Sequence, residues 1–216
     1  MIRIGRLHVI TDSSLQDRWS HLDLARAAVE NGAETVQYRR KDAPTRLLVE
    51  EAIALREICR RRRVPLFVND RLDVALAADA DGVHLGADDL PIPIARDLLG
   101  PLKTIGGSSD TAAEALALDR EGADYAGIGP VFATSSKNDA GPVLGLDGLA
   151  RAVREARLPL IAIGGIHAGN LADVLATGVH GVAVLGAVCL AADPGAAVAR
   201  LREILAQARP DPAASA

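Results

Sequence analysis

The stretch Gln37-Tyr38-Arg39-Arg40-Lys41 ends a short apolar run in polar and cationic side chains. In an extended segment residues two apart project to the same side, so Gln37, Arg39 and Lys41 share one side. An arginine fork beside a lysine point charge suits a poly-anionic group such as a diphosphate, although two surface cations on a loop would give the same pattern. Two acids stand after later apolar runs, Asp70 in Asn69-Asp70 and Asp89 in Gly86-Ala87-Asp88-Asp89. Paired carboxylates facing cations would be natural ligands for Mg2+, which takes a few carboxylates, several waters and phosphate oxygens. Each could instead cap the helix that follows it, near Arg71 and at Leu90-Pro91, and the two readings are compatible. Gly164-Gly165 within Ile163–Ile166, with Leu185-Gly186 further on, offers backbone amides for a phosphate. Ser108-Ser109-Asp110 and Thr134-Ser135-Ser136-Lys137 complete the polar clusters. His8, His21, His84, His167 and His180 show no ligand spacing, and His84, between Val83 and Leu85, reads as a histidine lining the interior. Cys59 and Cys189 fall in helical patterns as packing residues, and no nucleophile with its base is suggested by position. Many anion binders without an evident general base favour chemistry in which a diphosphate leaves and little proton transfer is needed.

The elements that must carry these residues alternate. Apolar segments suited to buried parallel strands occupy Leu7–Thr11, Thr35–Tyr38, Pro65–Val68, Gly82–Leu85, Thr104–Gly107, Tyr125–Gly129, Leu160–Ile163 and Gly181–Leu185. Helical patterns lie between them, near 20–31, 44–62, 71–79, 91–99, 111–120, 146–156, 168–177 and 193–207, with start signals at Asp110-Thr111 and Asp193-Pro194. Asn31–Glu34, Ala80–Gly82, Glu121–Asp124 and Thr177–Gly181 each close a helix and open strand two, four, six or eight, with glycine expected to supply a left-handed cap. Two β/α units repeated four times predict a single (β/α)8 barrel over residues 1–209, with 210–216 a fraying tail. An open doubly wound sheet would carry a Gly-rich fingerprint after its first strand, where this chain has Asp12-Ser13-Ser14. In a barrel the polar clusters all fall at the C-terminal strand ends, where such folds place their sites. The stretch 130–145 is long for a βα loop and reads as a mobile active-site flap. Arg60–Arg63 ends a helix and reads as a solvated, dipole-complementing terminus.

The 216 residues include 24 Lys+Arg, 28 Asp+Glu and 20 glycines, with 49% hydrophobic and 2% aromatic residues. A chain of this length can bury a full core without disulfides or metals, and one domain is expected. The net charge of −4 and the scarcity of aromatics argue against nucleic-acid binding, which needs a basic surface and stacking platforms. No apolar run approaches the roughly 18 residues of a membrane span, and the N-terminus is too short and polar for a signal peptide. Two cysteines without a C-x-x-C pair point to a reducing, cytoplasmic location.

The motifs Gln37-x-Arg39-x-Lys41, Asn69-Asp70, Val83-His84-Leu85-Gly86-x-x-Asp89, Gly129–Phe132 with Thr134, Ser136 and Lys137, and Ile163–Ile166 occur in the order of the thiamine phosphate synthase family, which the chain resembles over roughly 7–207. The opening Leu-His-Val-Ile-Thr-Asp is similar as well. The resemblance implies a (β/α)8 barrel that joins 4-amino-2-methyl-5-hydroxymethylpyrimidine diphosphate to hydroxyethylthiazole phosphate, giving thiamine phosphate and diphosphate by a dissociative route. It further implies that Gln37, Tyr38, Arg39, Arg40, Lys41, Asn69, Ser108 and Lys137 hold the pyrimidine diphosphate, with Arg39, Lys41, Ser108 and Lys137 taking part in catalysis. Asp70 and Asp89 would bind one Mg2+ per active site. Thr134, Ser135, Ser136, Gly165, Leu185 and Gly186 would hold the thiazole phosphate. The implied partners are small phosphorylated molecules, with no nucleic acid or membrane and with a homodimer left open. Three positions depart from the family: Ala87, Asp110 and Gly186 stand where Gln, His and Ser are common. Three alternatives stand beside this reading. A related thiazole tautomerase generally lacks the paired aspartates and relies on a His near position 110. A sugar-phosphate isomerase or epimerase would need an acid/base pair for which no candidate stands out. A non-catalytic thiazole-phosphate-binding protein would have no use for the whole Arg39, Lys41, Asp70, Asp89 and Lys137 set.

Overall fold

The computed structural model describes residues 3–134 and 141–208. Its elements, in chain order, are β1 (Leu7–Thr11), α1 (His21–Glu30), β2 (Thr35–Tyr38), α2 (Thr45–Arg61), β3 (Leu66–Asn69), α3 (Leu72–Ala77), β4 (Gly82–Leu85), α4 (Ile92–Leu99), β5 (Thr104–Ser109), α5 (Ala112–Glu121), β6 (Tyr125–Ile128), α6 (Gly145–Glu155), β7 (Leu160–Ala162), α7 (Leu171–Ala176), β8 (Gly181–Val184), α8 (Gly186–Cys189) and α9 (Pro194–Gln207). Each strand pairs in parallel with the next, and β8 returns to β1 to close an eight-stranded barrel. The expected architecture is the one that forms, while the tail at 210–216 lies outside the described residues. Among the described residues no helix is long and apolar enough to cross a membrane.

Several helix ends form for the reasons expected. Thr111 accepts from the Glu114 amide and Asp193 from the Ala196 amide, satisfying donors that a helix start leaves unpaired. Ser20 and Asp23 add a reciprocal capping box at α1. The glycine returns hold at Gly32, Gly122 and Gly178, with φ of 101°, 94° and 84°. Ala80–Gly82 works differently: Asp79 takes the left-handed turn, with φ of 50°, and Gly82 already begins β4. Gly82 is required there because a Cβ would lie 2.3 Å from the Thr104 carbonyl oxygen. The helical pattern does not reveal α8, a four-residue turn that β8 feeds directly.

Two apolar layers result. The larger lies between strands and helices, and buries Val9, Val36, Val68, Val83, Ile105 and Val182 beneath Leu48, Leu55 and Leu201. The smaller fills the barrel lumen with Ile10, Phe67, Tyr125, Ile161 and Ala183. Phe67 and Tyr125 stack at 5.9 Å between ring centroids, and His8 meets Tyr125 edge-on at 5.4 Å. Lumen residues therefore sit at alternate positions, as the pleat demands, and Gly106 is the inward position on β5 next to Tyr125. A Cβ there would stand 2.2 Å from the Tyr125 ring. Gly106→Ala is expected to lower the melting temperature by about 2–12 °C, from an overpacking cost of about 1–3 kcal/mol. Calorimetry checks this, and an unchanged melting temperature contradicts the packing.

Candidate active site

The C-terminal mouth of the barrel opens into a cavity of about 480 Å3 that descends to His8 and Tyr125 in the lumen. Strand alternation selects what reaches it. Gln37, Arg39 and Lys41 line the cavity, whereas Tyr38 and Arg40 do not. Those two turn toward α2, where both engage Glu51. The side chains of Tyr38 and Arg40 are thus withdrawn from the substrate-contacting set, because odd and even residues of one strand cannot share a face.

Arg39 is held by a residue the sequence motifs passed over. Register pairs Thr11 with Tyr38, so the next residues, Asp12 and Arg39, fall side by side at the mouth. The two form an ion pair in which Asp12 is 2% and Arg39 14% exposed. The other Asp12 oxygen accepts from the Ser14 amide at 2.7 Å and hydroxyl at 2.6 Å, which fixes the carboxylate that aims the guanidinium. An acid directly after β1 beside a cation directly after β2 was the available signal, once the strands are known to be neighbours.

Asp70 and Asp89 meet on the same rim. Asp70 adopts φ of 63°, a left-handed conformation that Asp and Asn tolerate better than most residues, and its amide donates to the His84 carbonyl at 2.8 Å. It does not cap α3, whose N-cap is Arg71. Asp89 does not cap α4 either; its carboxylate folds back to accept from the Gly86 amide at 2.6 Å. Burial, followed by the Asp89 charge, pushes the Asp70 carboxyl up to about 6, with Lys41 and Arg39 pulling it the other way. Two hard oxygen donors whose charges repel each other are a pair a divalent cation would relieve. Among the described residues no group of three or more His, Cys, Asp or Glu assembles, so water and ligand oxygens would fill the remaining positions.

The opposite rim is built from backbone. β7 lies across the barrel from β3, and after it Gly164 and Gly165 take φ of 97° and 64°. A Cβ on Gly165 would stand 2.7 Å from Phe132, so only glycine lets these two loops close. The Val131 amide donates to the Ile163 carbonyl at 2.8 Å and that of Phe132 to Gly164 at 3.1 Å, tying the loop after β6 to the loop after β7. That stitching brings Thr134 to the cavity wall beside Gly165, Leu185 and Gly186. Gly186 opens α8, and the first amides of a helix have no partner within it, so this edge turns backbone donors toward the cavity. Asn69 and Ser108 line the cavity between the rims, as does Asp110, one of the three departures. Ala87 is exposed outside it. Ser135, Ser136 and Lys137 lie within 135–140, the part of the loop read as a flap that is outside the described residues. The buried thiols of Cys59 and Cys189, pushed up to about 12 and about 11, match packing roles.

Comparison with known proteins decides the family. Residues 7–188 match the family model described as thiamine monophosphate synthase. The chain belongs to that family. It is 51% identical over 201 residues to the thiamine-phosphate synthase of Chloroflexus aurantiacus, covering 93% of this chain and 92% of that one. The corresponding figures for the Moorella thermoacetica thiamine-phosphate synthase are 48% over 204 residues, 94% and 97%. Among solved structures, thiamine phosphate pyrophosphorylase from Pyrococcus furiosus superposes with a TM-score of 0.86 at 43% identity, covering 94% of this chain and 96% of that one.

The Asp12–Arg39 pair gives a test of its own. Breaking it leaves a largely buried cation uncompensated, which costs stability that an incoming anion can restore. Asp12→Asn is expected to lower the ligand-free melting temperature by about 3–8 °C. Inorganic diphosphate with Mg2+ should then raise it by more than it raises the parent protein. Equal shifts in a thermal-shift titration would contradict the pairing.

Proposed function

We infer that this chain is a thiamine-phosphate synthase, condensing the pyrimidine diphosphate with hydroxyethylthiazole phosphate to thiamine phosphate and diphosphate. The observation that carries this reading, beside family membership, is one cavity whose two rims differ in a way that would suit two unlike anions. Cations and paired carboxylates follow β2, β3 and β4, and glycine backbone follows β7 and β8. A tautomerase is disfavoured because both aspartates are present and Asp110 stands where its histidine would.

In the reaction the bond between the pyrimidine methylene carbon and the diphosphate oxygen breaks, and its electron pair leaves with the diphosphate. The thiazole nitrogen then donates its lone pair to the methylene carbon. No proton need be removed by the protein. Arg39, aimed by Asp12, with Lys41 and Lys137, would take up the growing charge on the leaving group. Asp70 and Asp89 would hold one Mg2+, which when bound supplies further charge neutralisation to the diphosphate. Gln37, Asn69 and Ser108 would orient the pyrimidine. Thr134 and Ser136, with amides near Gly165 and Gly186, would fix the thiazole phosphate so that its nitrogen faces the methylene. Ile10, Ile161 and Ile163 line the space between and exclude water from the cation. A cytoplasmic location fits phosphorylated substrates of this kind.

Supplying both substrates with Mg2+ should yield thiamine phosphate and diphosphate in equal amounts; no product where a known synthase works would refute the reading. Asp70→Asn should lower turnover by about 10²-fold or more while leaving thiazole phosphate affinity within about twofold. It should also raise the melting temperature by about 2–4 °C, since it removes a charge held against burial and Asp89. Equal loss of turnover and thiazole phosphate binding would contradict the role given to Asp70. Because its carboxyl is raised to about 6, protons compete with the cation below that pH. Mg2+ affinity measured by calorimetry with diphosphate present should strengthen as pH rises through about 6, and Asp70→Asn should remove that part of the dependence.

A further inference from the structure

His21, the first residue of α1, is 3% exposed and lies off the cavity wall, so it touches no reacting group. Its two ring nitrogens nevertheless reach the two residues that flank Asp12. Nδ1 lies 3.0 Å from Thr11 Oγ1, and Nε2 lies 3.0 Å from Ser13 Oγ. The ring also packs edge-on against Tyr38, at 4.9 Å between centroids and 83°. Tyr38 is the register partner of Thr11 and immediately precedes Arg39. One imidazole therefore contacts the chain neighbours of both members of the Asp12–Arg39 ion pair. Tyr38 in turn donates to Glu51, which also holds Arg40, so the surface the imidazole rests on is itself fixed.

Neither helix capping nor packing explains these contacts. Ser20 and Asp23 already satisfy the start of α1 through their capping box. An apolar ring would fill the same space against Tyr38 without the cost of burying two polar nitrogens. Burial pushes the His21 imidazole below its ordinary value, with Glu51 raising it, Arg40 lowering it and Asp12 raising it. A neutral imidazole offers one donor and one acceptor, and each hydroxyl can be either, so both contacts are satisfied in either tautomer. What the ring accomplishes is to fix the chain on both sides of Asp12. Ser14 holds the carboxylate itself through Oδ1, which leaves Oδ2 for Arg39. A carboxylate held at its backbone and at one oxygen has little freedom to turn away from the guanidinium.

We propose that His21 is a positioning residue for the condensation: by holding Thr11 and Ser13 it sets the direction of Asp12, and through Asp12 the direction in which Arg39 meets the leaving diphosphate. The proposal rests on the synthase reading, in which charge grows on that diphosphate as the bond breaks. Displacing a charge-stabilising group by about 1 Å costs about 10²-fold in rate, so a residue two contacts removed from the substrate acts on turnover.

The test compares the parent protein with Asp12→Asn, His21→Phe, the double variant of these two, His21→Gln and Ser13→Ala. His21→Phe keeps a ring against Tyr38 and removes both nitrogens. It should lower kcat about 10- to 100-fold and leave the thiazole phosphate KM within about twofold. His21→Gln, whose amide can reach Ser13, should recover most of the loss. In the Asp12→Asn background His21→Phe should cost less than about twofold more, because the group it positions is already gone. A second readout needs no turnover. Inorganic diphosphate with Mg2+ should raise the melting temperature of His21→Phe by more than that of the parent, as in Asp12→Asn, and by no more in the double variant than in Asp12→Asn alone. Ser13→Ala removes one oxygen at a half-buried position and carries both readouts if His21→Phe does not fold. A loss of kcat as large in the Asp12→Asn background as in the parent overturns the proposal, as do unchanged readouts in the folded variants. No product from the parent protein overturns the synthase reading instead, and the diphosphate shift still decides the role of His21.

Discussion

A closed eight-stranded barrel admits only every second residue of each strand to its interior, and that interior must be filled. The site follows from how this chain meets both demands. On β2 the pleat sends Gln37 and Arg39 inward and leaves Tyr38 and Arg40 to pack on α2 through Glu51. On β5 and β6 the inward positions Gly106 and Gly127 carry no side chain, so the lumen is filled from across by Tyr125 and His84. Filling stops partway up. Ile10, Phe67, Tyr125, Ile161 and Ala183 floor the cavity, and the strand ends above it are left to polar groups.

Those polar groups are arranged in opposed charges. Arg39 is compensated by the buried Asp12, while Asp70 is pushed up by burial and the Asp89 charge and pulled down by Lys41 and Arg39. The carboxylate repulsion costs stability in the ligand-free protein and would be relieved by a divalent cation, while Arg39 and Lys41 beside it would suit an anion. A metal-bound diphosphate, the species proposed for this site, would satisfy both. The second rim needs no charged side chain, because glycine backbone after β7 and the opening turn of α8 present amide dipoles.

Much of the fold was legible in the sequence because its signals are local and repeated. Eight short apolar runs set the strand count, and the glycines at 32, 122 and 178 mark returns that only a left-handed residue can make. The exception is instructive. Gly82 looked like another return, yet its absent side chain serves a contact with Thr104 on a strand 22 residues later in the chain. The short helix α8 was hidden because four residues are too few to show periodicity. Of the site, the alternation of Gln37, Arg39 and Lys41 could be read directly, as could the clustering of acids at strand ends. Asp12 could not, since its meaning depends on β1 lying beside β2. The contacts of His84 with the Tyr125 hydroxyl and Ser108 Oγ, 3.0 Å each, could not either, because they join residues on three strands.

The central claim is that the mouth carries a carboxylate repulsion resolved by a metal-bound diphosphate. A double-mutant cycle of Asp70→Asn and Asp89→Asn, followed by chemical denaturation with and without Mg2+ and diphosphate, tests it most directly. Without ligand, the two substitutions should relieve the same repulsion, so that each stabilises and the pair gains little beyond either one. With ligand, each should instead reduce the stabilisation that Mg2+ and diphosphate confer. Additive effects of the same size and sign in both conditions would contradict the account.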